Sequence, residues 1–202
     1  VIPGPSGFVD EPSFRDFLNN HRERDRVIVA GANDGFLHFF HAGDWDATLN
    51  PERHDAGTGE EIAGFMPHPA RPKVKEIPID SDGRSNYFVD GPPAAADVWF
   101  YDSPTQDGGK TAEQWRTVLL GGMRQGGEAI YALDITRPGS ASVSGAERPS
   151  CTPQIPGTSI PDSSDQYPCY LWEFPRENAP SSVTEYMGET WSERSEEHTS
   201  EL

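Results

Sequence analysis

Basic residues are scarce in this chain. Sixteen Lys and Arg face 33 Asp and Glu over 202 residues, a formal net charge of −17. Such a surface repels phosphate, which argues against nucleic acid and anionic membrane as partners and leaves divalent cations or basic protein surfaces. The plainer role of the charge is solubility. Long apolar runs are also missing: no stretch of 18 apolar residues occurs, so the chain has no membrane span of its own. Cysteine is limited to Cys151 and Cys169. That excludes a four-cysteine zinc site and leaves one disulfide or two thiols. If the two pair, they close a loop of about 19 residues, for which chain entropy gives roughly 3 kcal/mol, and a disulfide suits an exported protein. No charged-then-apolar leader opens the chain. It begins at Val1 rather than Met, and is expected to be a piece of a longer protein.

What the chain does have is turns. Twenty Gly, 19 Pro and a hydrophobic share of only 34% leave little room for long helices. Apolar residues come in short bursts, the pattern of an all-β architecture with long surface loops. The stretch "SFRDFLNNHRER" predicts one short helix, with Ser13 as cap and Phe14, Phe17 and Leu18 on one face. "RVIVAG" and "FLHFFHA" then predict two strands joined at Asn33-Asp34-Gly35, both covered on two faces, followed by a shorter strand in "EEIAGFMPHP". "NYFVDGPPAAADVWFYD" predicts two strand pieces split by Gly91-Pro92-Pro93. "WRTVLLGG", "GEAIYALDIT" and "YLWEF" predict three more strands, and "EYMGETWSE" the start of another. Gly31 aligns with Gly122, and each is followed by a turn and an aromatic-bearing strand. This repeated order predicts about two blades of a β-propeller, each an antiparallel sheet of about four strands. A β-sandwich explains the strands but not the repeat.

Candidate sites are few. "DSDGRSN" places Asp80, Asp82 and Asn86 at calcium-type spacing, but Gly91 stands where the closing acidic ligand belongs; the plain alternative is an Asp/Gly turn. His38 and His41 are three apart on one strand and so face opposite ways, which suits core or loop contacts better than a shared ion. His54 and His68 stand on loops without partners at zinc spacing. The chain shows no G-x-S-x-G elbow, and the glycines of "GGMRQGG" belong to a hairpin rather than a phosphate loop. Trp99, Trp115 and Trp172 are expected as core anchors, as are Phe36, Phe39 and Phe40. The long polar loops 44–60 and 102–114 are candidates for recognition.

The stretches "RVIVAGANDGFLHFFHAG", "EIAGFMPH", "YFVDGPPAAADV", "WRTVLLGGMRQGGEAIYALDIT", "LWEF" and "MGETWSE" stand in the order of a known family. Over roughly 26–193 the chain resembles the β-propeller of the PilC/PilY-type type IV pilus biogenesis and tip-adhesin proteins, a quinoprotein-like fold. The resemblance implies a large exported protein at the pilus tip or outer membrane. It implies pilins, other pilus machinery and host-cell surfaces as partners. The implied roles are pilus assembly, control of retraction, adhesion and twitching motility, without catalytic residues. It implies calcium in the longer protein, on a D-x-D-x-D loop downstream, and no cofactor in this stretch. His41 departs from the family, which has Asp there. Residues 1–25 are expected to be a linker and short helix. "RSEEHTSEL", residues 194–202, resembles a translated sequencing adapter, so the natural sequence is expected to end near Glu193. The alternative function is a propeller dehydrogenase using pyrroloquinoline quinone and calcium. The isolated chain is expected to aggregate or melt without cooperativity, because blades are stable only when stacked.

Overall fold

Short apolar bursts cut by Gly, Asn and Pro give strands rather than helices here. A computed structural model describes residues 8, 10–75, 77, 87–100, 109–138, 167–185, 187–188 and 190. Strands β1 (Arg26–Gly31), β2 (Leu37–Gly43) and β5 (Glu61–Phe65) form one antiparallel sheet in that order. Between them β3 (Trp45–Asp46) and β4 (Arg53–His54) make a small two-stranded ribbon. Strands β6 (Ala94–Trp99), β7 (Trp115–Gly122), β8 (Ile130–Asp134) and β9 (Cys169–Phe174) form a second antiparallel sheet, again in chain order. The repeat seen in the sequence is therefore present: β1, β2 and β5 match β7, β8 and β9 in order. The second sheet adds β6 at its edge, whereas the first has three strands among the described residues.

The two sheets share one apolar core. Val27, Leu37 and Phe39 of the first meet Leu119, Tyr131 and Leu133 of the second, with Val89 and Ile135 between them. The covering of individual strands differs from the expectation. β1 is not buried on two faces: Val27 is enclosed, but Ile28 points away from the inter-sheet core and is 46% exposed. β2 alternates between buried and half-buried residues, so one face packs and the other stays partly open. Phe39 is in the core, while Phe36 and Phe40 are half-buried. β7 and β8 are covered on both faces, with Leu119 and Leu133 on the inter-sheet side and Val118 packed with Ala132 and Leu171 on the other. Trp115 is buried, but Trp172 is 37% exposed rather than a core residue.

Residues 87–90 are not a strand. They run over the ends of both sheets. The Val89 amide donates to Ala32 O at 3.3 Å, and the Phe88 amide to Asn33 Oδ1 at 3.4 Å. This crossing explains the paired glycines. A Cβ on Gly31 would lie 2.2 Å from the Val89 carbonyl oxygen, and one on Gly91 would lie 2.0 Å from that of Gly122. Each strand ends in glycine where another main chain passes against it.

Helix α1 (Pro12–His21) also differs in its cap. Glu11, not Ser13, is the capping residue, accepting from the Ser13 amide at 3.4 Å and the Ser13 hydroxyl at 3.0 Å. Pro12 suits the first helical position, where no amide hydrogen is needed. Ser13 instead accepts from the Trp115 indole at 3.0 Å, while Phe14 and Phe17 pack on that ring with Leu18 beside them. Two further helices are single turns, α2 (Arg71–Val74) and α3 (Ser181–Thr184). Past α3, Thr190 bridges to Arg124 and accepts from the Met123 amide at 2.8 Å, which ties this segment to the β7–β8 turn.

Candidate functional site

The described long loop, 44–60, is built as a displayed hairpin. Asp46 starts its turn: its carboxylate accepts from the Thr48 amide at 2.8 Å, and these Thr48 contacts hold it below the ordinary carboxylate range. Trp45 pairs with His54 across the ribbon, their rings edge to face at 5.2 Å, and the Arg22 guanidinium lies 5.9 Å from the Trp45 ring. His54 Nε2 donates to Arg24 O at 2.8 Å, which moors the hairpin to the segment before β1.

The loop is closed on His41. This ring is buried on the inner face of β2. The Thr58 amide donates to Nδ1 at 3.1 Å, so the neutral ring carries its hydrogen on Nε2 and donates it to Asp44 Oδ1 at 3.1 Å. Asp55 steadies the return by accepting from the Asp44 amide at 3.0 Å and the Gly57 amide at 2.7 Å. Gly57 has φ +68°, and a Cβ there would meet the Ala42 main chain at 2.4 Å, so only glycine fits the closure. His41 makes the loop contact itself.

His38 points to the opposite face, as the spacing requires. Its Nδ1 lies 2.7 Å from Glu61 Oε1 and its Nε2 2.9 Å from Asp34 Oδ2. The bond to Glu61, then that to Asp34, raises its pKa. The two carboxylates sit on opposite ring nitrogens, so their oxygens diverge.

Two polar nodes were not expected from the sequence. Arg24, half-buried, donates to Thr117 Oγ1 at 2.7 Å and Thr136 O at 3.3 Å, and Thr117 in turn donates to Asp97. Burial lowers the Arg24 pKa. Thr117 and Asp97 stand at inward positions of strands, and a polar residue at an inward position was the available signal. The second node is Glu173, buried on β9. It accepts from the His68 amide at 2.9 Å and lies 3.1 Å from His68 Nδ1. His68 thus gains a partner 105 positions away, beyond the reach of any local spacing rule. Beside α1 a cleft of about 170 Å³ is lined by His21, Arg116, Asp134, Arg137 and Tyr167 among others. The calcium-type residues Asp80, Asp82 and Asn86, residues 101–108 and Cys151 lie outside the described residues. Cys169, half-buried at the start of β9, is disulfide-bonded.

Repeated antiparallel sheets packed through one core, with a hairpin displayed at one end, define a bladed all-β scaffold. The family model for the PilY1 β-propeller domain matches residues 7–145, and the chain belongs to that family. It is 35% identical over 133 residues to a type IV pilus biogenesis factor PilY1 homolog of Xylella fastidiosa, covering 66% of this chain and 9% of the relative. It is 33% identical over 132 residues to type IV pilus biogenesis factor PilY1 of Pseudomonas aeruginosa, covering 63% and 9%. The chain thus spans about a tenth of the curated relatives it matches. The crystal structure of the P. aeruginosa PilY1 C-terminal domain aligns at 28% identity and a TM-score of 0.40, over 65% of this chain and 20% of that one.

Proposed function

We propose that this chain is a non-catalytic scaffold segment of a type IV pilus biogenesis protein. It acts at the cell surface, at the pilus tip or outer membrane, and its partners are pilins and other pilus machinery. The observation that carries the reading is the family match over residues 7–145, whose relatives are named pilus biogenesis factors. The geometry supports it. His38, His41, His54 and His68 are each committed to fixing a loop or strand. Hairpin 45–54 is the surface we assign to partner contact, since the first sheet holds its base at Trp45 and His54 and its turn is largely exposed. Control of retraction, adhesion and twitching motility follow as roles of the longer protein, with calcium bound elsewhere in it.

The test is genetic. In the source organism, the gene for the longer protein is deleted, then restored either intact or with residues 45–54 replaced by a short Gly-Ser turn. Deletion is expected to remove surface pili and twitching. The intact gene restores both, and the loop variant, present at normal level by immunoblot, restores them poorly. Normal piliation and twitching after deletion would overturn the reading. Purified protein mixed with pyrroloquinoline quinone and calcium is expected to retain no chromophore; retention with alcohol oxidation would favour the dehydrogenase.

A further inference from the structure

Three side chains from three positions converge beneath the loop. Asp25 precedes β1, His41 is on β2, and Asp44 lies just beyond it. One ligand atom from each lies within 4.8 Å of the other two. The imidazole is buried, Asp25 is half-buried and Asp44 opens to solvent. We propose that Asp25, His41 and Asp44 bind a divalent transition-metal cation of the zinc class, through one nitrogen and two oxygens, with the outer position open to water or a partner's side chain.

Charge is the first reason. Two carboxylates adjoin here, and among the described residues neither has a Lys or Arg within ion-pair distance. Arg24, the neighbour in sequence, spends its guanidinium on Thr117 and Thr136. A cation placed between them would offset the repulsion of the two carboxylates.

Geometry is the second reason. Zinc bonds of about 2.0–2.2 Å set ligand atoms about 3.3 Å apart in a tetrahedron. His41 Nε2 and Asp44 Oδ1 already stand at 3.1 Å, so the metal takes the place of the hydrogen between them. The ring hydrogen then belongs on Nδ1, and Thr58 serves that tautomer as well: its Oγ1 lies 3.1 Å from Nδ1, ready to accept, beside the amide that donates to Nδ1 in the metal-free form. Such a contact orients a ligating histidine. His38 is the internal contrast. Its two carboxylates bind opposite nitrogens and cannot share an ion. Calcium does not fit either, since it prefers six or more oxygens and this set offers a nitrogen.

The test uses the full 202-residue chain, stripped with EDTA and titrated with Zn²⁺ and Co²⁺ against a chromophoric chelator. The expected result is one equivalent bound, a cobalt d–d band, and no competition from millimolar Ca²⁺. Asp25→Asn and Asp44→Asn are each expected to weaken binding at least tenfold, while His38→Gln leaves it unchanged. Asp25→Asn keeps the His41–Thr58 contact, so its circular dichroism should match the parent's. Should the variants fail to fold, zinc X-ray absorption on the unmodified chain decides: one imidazole among oxygens supports the site, and a shell without imidazole overturns it. Absence of binding, or binding indifferent to both substitutions, also overturns it. The pilus reading stands or falls separately.

Discussion

The two sheets share a strand order but not an environment. β7 lies between β6 and β8, with Leu119 in the inter-sheet core and Val118 packed on the far side. Among the described residues β1 has β2 alone beside it, and its outward residue Ile28 is 46% exposed. Both strands are runs of β-branched and aliphatic residues ending in glycine. The difference teaches that such a run specifies a strand, while its neighbours decide how many faces are covered. The sharpest way to break the comparison is to truncate one residue from each sheet. Leu133, fully enclosed on β8, should cost about 2–5 kcal/mol as Leu133→Ala, from lost transfer energy plus a cavity. Ile28→Ala should stay within about 0.5 kcal/mol. Urea unfolding of the two variants at low protein concentration checks this. Equal losses would mean that β1 is as enclosed as β8.

The same contrast shows what could be read from the residues alone. Strand order, the repeat, the helix face Phe14–Phe17–Leu18 and the opposed directions of His38 and His41 follow from local spacing, and all are present. The N-cap, the exposed Ile28 and Trp172, and the non-strand at 87–90 were misread because tertiary neighbours decide them. "YFVDG", residues 87–91, has strand composition, yet its main chain is used to cross the ends of β1 and β7. At the loop, spacing identified His41 as a loop-bonding histidine. Asp25 could not be added, because it reaches His41 across the β1–β2 pairing, where a register shift lies between Arg26 and Val27.

Glu173 links the sheets more strongly than any surface pair should. It is buried on β9 and binds the main chain and ring of His68, which follows β5. Glu173→Ala would leave the His68 amide unpaired at a part-buried site, a loss of about 1–3 kcal/mol. A double-mutant cycle with His68→Ala isolates the side-chain share of that loss. Additive losses would show that the two side chains are not coupled.

Two histidines, one beside each sheet, should respond to pH with opposite sign. Burial, then the charges of Arg24, Arg137 and Arg116, lower the pKa of His21 from 6.5 to about 4. Between those values the unfolded chain holds a proton that the folded chain refuses, so stability falls as pH drops from 6.5 towards 4. His38 is raised, first by its bond to Glu61. Its contribution is full below 6.5 and fades as pH rises through the raised value. His21→Gln should therefore flatten the acid-side loss, and His38→Gln should remove stability present below 6.5. Melting temperatures from pH 4 to 8 test both signs, and parallel profiles for the two variants would refute the assignment.

The smallest effect is expected at a contact that joins the same two regions as His68 and Glu173. Arg71 Nη1 lies 3.1 Å from Glu177 Oε2, linking α2 to the turn after β9, and the two side chains are 53% and 61% exposed. An exposed pair gains little from attraction in water and loses side-chain entropy on ordering. Arg71→Gln should change stability by less than about 0.5 kcal/mol, and added salt should erase even that. The distance matches the buried pair's, so burial is what separates them. If Arg71→Gln cost as much as Glu173→Ala, the join between the sheets would depend on where the links fall, and the desolvated carboxylate would have no special part in it.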